Sequence, residues 1–405
     1  MPQSPYSRLD PPVRTLLGPG PSSVPPEVMA ALTAPVLGHL DPEFLKIMDQ
    51  LMEGLRAVFQ TKNRMTLAIS GTGSAGMEAS ICNPLEPGDV AVIGVNGYFG
   101  GRMVEMAQRC GATVVTAEAE WGRTIPPEAI EDAIKKQRKV KLVALVHAET
   151  SAGILQPIAE AAKLAHRYGA LFMTDAVTSL GGAEVAIDGW GVDICYSGTQ
   201  KCIGAPPGLA PITFGEAAMD VMRKRTHKVH SWYLDVGLIE QYWGAGRVYH
   251  HTAPISMIYA LHEAVRLTLE EGLPARWARH RLHAGALQAG LEAMGLTLHA
   301  EASHRAPMLT TVRIPDGVDD AAVRKALLAD DSIEIGGGLG PLKGKVWRVG
   351  LMGHSCNEGN VLLFLEALER ALAKQGRPSV KGQSGAGAEA ASAYYRRERK
   401  KATTP

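Results

Sequence analysis

The sequence predicts an α/β protein: a large domain on a mostly parallel sheet flanked by helices, then a smaller C-terminal α+β domain. Three observations predict it. From about residue 22 to about residue 265, short apolar runs alternate with helical patterns. The runs are continuously apolar, as in strands covered on both faces. The chain has 405 residues, enough for two or three domains and a large core.

The strand runs, in order, are "MTLAIS" (65–70), "DVAVIGV" (89–95), "TVVTAEA" (113–119), "VKLVALVHA" (140–148), "ALFMTDA" (170–176), "DICYSG" (193–198) and "LAPITFG" (209–215). Helical segments such as "IPPEAIEDAIKKQR" and "IAEAAKLAHRYG" lie between them. The second has apolar positions at Ile158, Ala161, Ala162 and Ala165 and ends at Gly169, a C-cap signal. One helical stretch, "ISMIYALHEAVRLTLEEGLPARWARHRLHAGALQAGLEAMG", carries the chain into the smaller domain. There, "MLTTVRI" (308–314) and "VWRVGLM" (346–352) read as strands, and residues 358–374 as a final helix. The expected division is an irregular, proline-rich arm (1–21), a large domain (22–265), a small domain (266–375) and a basic tail (376–405). The tail is Gly/Ser/Ala-rich before it turns basic, and is expected to be disordered.

Composition excludes several classes. Apolar residues make up 46% and charged residues 20%, as in a soluble globular protein. A net charge of +1 argues against nucleic acid or an anionic membrane as partner. Five cysteines without a C-x-x-C pair predict neither a disulfide framework nor a metal site, and fit a reducing compartment. The start lacks an apolar signal region and no run of 18 apolar residues occurs, so a cytoplasmic location without membrane contact is expected.

Three motifs carry the chemistry. "SGTGSAG" follows the first strand and contains G-x-G-x-x-G at Gly71, Gly73 and Gly76. A dinucleotide site needs an acid at the end of the next strand, but Asp89 precedes that strand, which ends in Val95 and Asn96. Two readings stay open: an anion cradle on Thr72, Gly73 and Ser74, or an ordinary strand-to-helix turn with a Ser/Thr cap. Asp175 ends an apolar strand, where ligands of open α/β sheets bind. Lys201 stands alone among small residues in "YSGTQKCIGAPPG". A buried lysine loses its proton readily and becomes a nucleophile. Pyridoxal phosphate needs a Schiff-base lysine, an acid for its ring nitrogen and a phosphate cradle, and this chain offers the three along one domain.

With these motifs stand "LGPGPS", "ETSAGILQPI", "TDAVTSLGG", "VYHHTAP", "GGLG" and "VWRVGLMG". Together they resemble the class V (fold type I) pyridoxal-phosphate aminotransferases, in the alanine–glyoxylate and serine–glyoxylate branch, from near residue 16 to about residue 374. The resemblance implies that Lys201 bonds the cofactor, Asp175 pairs with its ring nitrogen, and Thr72, Gly73, Ser74 and Gln200 hold its phosphate. It further implies that Phe99 stacks on the ring, often a tryptophan position, and that Thr150 lies near the phenolic oxygen. Tyr249 and Thr252 are expected to complete the phosphate site of a second subunit, making a homodimer the functional unit. Arg348 is expected to grip the substrate carboxylate with its planar fork, and Gly38 and His39 to contact substrate at an entrance lined by residues 18–21 and 37–44.

The implied activity moves the amino group of alanine or serine to glyoxylate or pyruvate, by ping-pong kinetics through a lysine Schiff base. Alternatives are a related aminotransferase using ureidoglycine or 2-aminoethylphosphonate, or a lyase such as cysteine desulfurase, for which only Cys356 is suitably located. The "YHHT" segment fits the alanine/serine branch better, since ureidoglycine enzymes tend to carry asparagine there. A nicotinamide dehydrogenase lacks its acid. A non-catalytic scaffold would need none of Lys201, Asp175 and Arg348.

Overall fold

Seven strands form the central sheet of the computed structural model, which describes residues 8–377 and 385–403. They are β1 (Met65–Ser70), β2 (Val90–Val95), β3 (Thr113–Glu118), β4 (Leu142–Val146), β5 (Leu171–Asp175), β6 (Ile194–Tyr196) and β7 (Leu209–Phe214). Their order is β1-β7-β6-β5-β4-β2-β3, and only β7 runs antiparallel to its neighbours. Each strand lies inside the apolar run that predicts it. Every residue of β4 to β7 is buried, which is why these runs do not alternate.

Helix α1 (Gly73–Cys82) follows β1, and α2 (Tyr98–Arg109) follows β2. A Cβ at Gly76 would stand 2.9 Å from the Ala210 Cβ, so this glycine lets α1 press onto β7. The literal G-x-G-x-x-G thus has a packing cause that needs no dinucleotide.

The smaller domain holds β8 (Leu309–Arg313), β9 (Gly336–Gly337) and β10 (Val346–Gly350), antiparallel in the order β8-β10-β9. Its apolar core is separate from that of the large sheet. Among the described residues, no helix is long and apolar enough to cross a membrane.

Three expectations are corrected. The long helical stretch is two helices, α3 (Ile255–Glu271) and α4 (Leu273–Ala293), because Gly272 takes φ +82° and Pro274 follows at the start of α4. The chain therefore turns at Gly272, and the expected boundary at 265/266 falls inside α3. The arm is not wholly irregular: Thr15–Leu16 pairs in parallel with Ile333–Glu334, and Leu17 is buried in the small domain's core. Residues 1–7 of the expected arm lie outside the described residues.

The third correction is the tail. After α5 (Glu358–Lys374), residues Ala386–Thr403 form a helix, α6, where disorder was expected. Gly387, Ala391 and Tyr395 recur every fourth residue and are buried, giving α6 one apolar face against α4 and α5. The Tyr395 hydroxyl lies 2.7 Å from His283 Nδ1, and the Gly385 N–H donates to Glu369 at 2.7 Å. The parts of the expected tail at 378–384 and 404–405 lie outside the described residues.

The turn at Gly272 organises the junction between domains. Arg276 donates from Nε to the Gly181 carbonyl (3.0 Å) and from Nη2 to the Cys202 carbonyl (2.6 Å). Arg279 donates from Nη1 to the carbonyls of Gly353 (3.0 Å) and Cys356 (2.6 Å). Glu271 accepts from both guanidinium groups at 2.6–2.9 Å. Burial pushes the Glu271 carboxyl up, but hydrogen bonds and charge from the two arginines outweigh it and hold the group at about 2.

Glu271→Ala leaves two half-satisfied arginines at this junction. Because Glu271 is partly exposed, a loss of about 2–3 kcal/mol is expected in denaturant unfolding, below the ~3–5 kcal/mol of a fully buried pair. The depressed pKa makes this stabilisation complete above the ordinary 4.5 and lost as pH falls toward 2. Glu271→Gln should therefore flatten the acid limb of stability against pH; an unchanged limb would show that the carboxylate does not hold the junction.

Candidate active site

A cavity of about 230 Å³ opens at the carboxyl ends of β1, β4 and β5. Asp175 forms its floor. One carboxylate oxygen accepts from the Tyr196 hydroxyl at 2.6 Å and the other from the Val177 N–H at 2.7 Å. Burial pushes this carboxyl up to about 6, against the opposing pull of those two donors.

Lys201 lines the same cavity, and its Nζ donates to the Pro19 carbonyl. A Cβ at Gly20 (φ +104°) would collide with the lysine chain at 2.4–2.8 Å, so only glycine fits beside it. Ser22 fastens the arm to this loop: its N–H donates to the Gln200 carbonyl (2.9 Å) and its hydroxyl to the Lys201 carbonyl (2.9 Å). Burial, and then the charge of Arg348, pull the Lys201 amine down from 10.5 to about 8.

The anion end of the cavity is the start of α1. Thr72 is the N-cap, and its side chain makes no capping bond. The Gly73 and Ser74 N–H groups thus lack helical acceptors and sit at the positive end of the helix. A Cβ at Gly73 would lie 3.2 Å from Val177, so glycine keeps this cradle open. Gln200 lines the cavity with a buried carboxamide oxygen that has no partner. Phe99 and Thr150 also line it.

Two residues of the site escape sequence reasoning. Glu149 is fully buried; it accepts from the Phe99 N–H (2.9 Å), the Gly100 N–H (3.3 Å) and the Ser151 hydroxyl (2.6 Å). It ties the start of α2 to the segment that carries Thr150. The signal available was an acid inside an apolar stretch. Arg102 lies one turn after Phe99 and lines the cavity, and the i, i+3 spacing was its signal.

Arg348 sits on β10 and reaches the cleft from the small domain. Its Nε donates to the Gly337 carbonyl at 2.7 Å and its Nη1 to the Thr150 carbonyl at 3.5 Å. Burial pulls its pKa down from 12.5 to about 10. Gly38, Tyr249 and Thr252 are exposed and do not line this cavity. The Tyr249 hydroxyl lies 3.5 Å from that of Thr252, and its ring 5.2 Å from His39. Cys356 is buried, and burial pushes its thiol up to about 12. Neither exposure nor thiolate character fits a mobile nucleophile.

A family model described as aminotransferase class-V matches residues 15–350. The chain belongs to the class V aminotransferases. Its fold is that of the fold type I enzymes, which use pyridoxal 5′-phosphate. The aminotransferase is similar to the crystal structure of an alanine–glyoxylate aminotransferase from Nostoc sp., with TM-score 0.90, 49% identity and coverage of 91% of this chain and 98% of that one. It is 45% identical to the (S)-ureidoglycine–glyoxylate transaminase of Bacillus subtilis (strain 168), over 89% of this chain and 91% of the relative. It is 43% identical to the alanine–glyoxylate aminotransferase of Callithrix jacchus, over 89% and 88% of the two chains.

The residues of this aminotransferase fit the cofactor. Gly73 leaves a cradle that a Cβ would crowd, and the Gly73 and Ser74 N–H groups at the start of α1 are donors that suit an anion there. Because the Lys201 amine titrates near 8 rather than 10.5, its reaction with an added aromatic aldehyde should accelerate with pH up to about 8 and then level off. Stopped-flow absorbance on cofactor-free protein would measure this. A rate still climbing toward 10.5 would mean an ordinary solvated lysine, and Lys201→Ala should remove the phase.

Proposed function

We propose that this enzyme transfers the amino group of a small L-amino acid, alanine or serine, to glyoxylate or pyruvate by a ping-pong route. The carrying observation is the pairing across the domain cleft of a depressed lysine amine, Lys201, with a buried guanidinium, Arg348. The named relatives also share glyoxylate as acceptor.

Bound pyridoxal phosphate supplies an aldehyde for condensation with amines and an electron sink for the pair released at Cα. Thr72, Gly73, Ser74 and Gln200 hold its phosphate. Asp175 keeps a proton on the ring nitrogen, and the Tyr196 hydroxyl holds that carboxylate in place. Phe99 would supply an apolar face and Thr150 a hydroxyl to the bound group, since both line the cavity. Arg348 binds the substrate carboxylate with the edge of its fork not used by Gly337. Lys201, about half neutral near pH 8, would take up and release the substrate Cα proton at Nζ. The Pro19 carbonyl orients that amine.

The unit we propose is a homodimer. Trp232, Tyr233, Val248, Tyr249 and Leu40 are large and exposed, which suits a covered face better than open solvent. Tyr249 and Thr252 on that face would complete the partner's phosphate site, and Gly38 would border the entrance. Five free thiols suit a cytoplasmic location.

A second reading has specific support: the 45% identical relative named for ureidoglycine. Glycine formation from glyoxylate, with each donor in turn, separates the two. Alanine or serine should sustain it, with parallel double-reciprocal lines; turnover with ureidoglycine alone would establish the second reading. Arg348→Lys should lower kcat/KM for both carboxylate substrates about 10- to 100-fold, the cost of a charged hydrogen bond. Cys356→Ser should leave transamination unchanged. Sedimentation velocity should give a dimer, and a catalytically competent monomer would remove the shared-site proposal.

A further inference from the structure

The charge of Arg102 is answered only from a distance, by buried Asp175 in the same cavity. Arg102 lines the cavity and is only half-buried, yet among the described residues no carboxylate lies within ion-pair distance of it. Its side chain is nonetheless held. The guanidinium carbon lies 4.9 Å from the Phe99 ring centre and 5.4 Å from that of Tyr98. Its Nη1 donates to the Ser74 hydroxyl at 3.2 Å. Aromatic contacts and one neutral hydrogen bond fix the position of the fork without spending its charge.

The hydroxyl it touches belongs to the anion cradle. Ser74 accepts from Arg102, which leaves its own proton free to donate to a ligand oxygen. The helix end at Gly73 and Ser74 contributes about half an elementary charge. A phosphate ester at neutral pH carries between one and two negative charges. The other two cations of the site have other tasks: Lys201 must be neutral to react, and Arg348, held by the Gly337 and Thr150 carbonyls, is assigned to the substrate carboxylate.

We propose that Arg102 is the cationic ligand of the cofactor's phosphate, acting with Ser74 as one charged unit. The proposal rests on the pyridoxal-phosphate reading of this site. Placement on α2, three residues after Phe99, makes one helical face responsible both for covering the ring and for neutralising its phosphate.

The test compares equilibrium binding of pyridoxal phosphate and of phosphate-free pyridoxal to cofactor-free enzyme, for wild type, Arg102→Met and Arg102→Lys. Arg102→Met should weaken pyridoxal phosphate about 10- to 100-fold and leave pyridoxal unchanged. Arg102→Lys should recover part of the loss, and provides the test if the methionine variant does not fold. Equal weakening of both ligands would overturn the proposal, since Arg102 would then only shape the pocket. So would unchanged affinity for pyridoxal phosphate with a raised KM for the carboxylate substrates. Failure of the wild type to bind pyridoxal phosphate would instead overturn the cofactor reading beneath it.

Discussion

The site depends on two arginines that never touch the cavity. Arg276 holds the Gly181 and Cys202 carbonyls of the large domain, and Arg279 the Gly353 and Cys356 carbonyls of the small one. Glu271 makes them a single unit. Cys202 adjoins Lys201, and Gly353 follows closely on the strand that carries Arg348. The distance between the Lys201 amine and the Arg348 guanidinium is therefore set from behind, by charge-assisted hydrogen bonds to backbone. Because the pair of contacts straddles Gly272, a single turn between two helices fixes the relation of the two domains here.

Inside the cavity, burial acts on two groups in opposite directions. It raises the Asp175 carboxyl to about 6 and lowers the Lys201 amine to about 8. Each shift penalises the charged form. A cation beside Asp175 reverses its penalty, so its environment rewards a protonated ring nitrogen. Lys201 gains nothing comparable; Arg348 adds repulsion. One environment thus favours an anion paired with a ligand and an amine left neutral, the combination that transamination uses.

Much of this was legible in the sequence, because burial on both faces leaves an uninterrupted apolar signature. The seven sheet strands and the placement of Asp175 and Lys201 follow from it. What stayed hidden depends on partners far along the chain. Arg102 looks like any of 42 basic residues until Phe99 and Ser74 stand around it. Glu149 is an acid whose burial is tolerable only because four N–H and O–H groups converge on it. The tail's small residues read as solvated chain, yet Gly387, Ala391 and Tyr395 form a helical stripe that has a groove to fill. Tyr249 and Thr252 are legible only by resemblance, since their own subunit gives them no place in its cavity.

The arm has a consequence for biosynthesis. Arg14 finds its Ser332 partner 318 residues later, and Leu17 packs in a core made of residues beyond 286. Two residues on, the Pro19 carbonyl receives the Lys201 amine. This stretch can dock only after the residues of the small domain, about 300 positions further along, have been made. Until then Lys201 lacks its backbone acceptor, so completion of the site waits on the small domain.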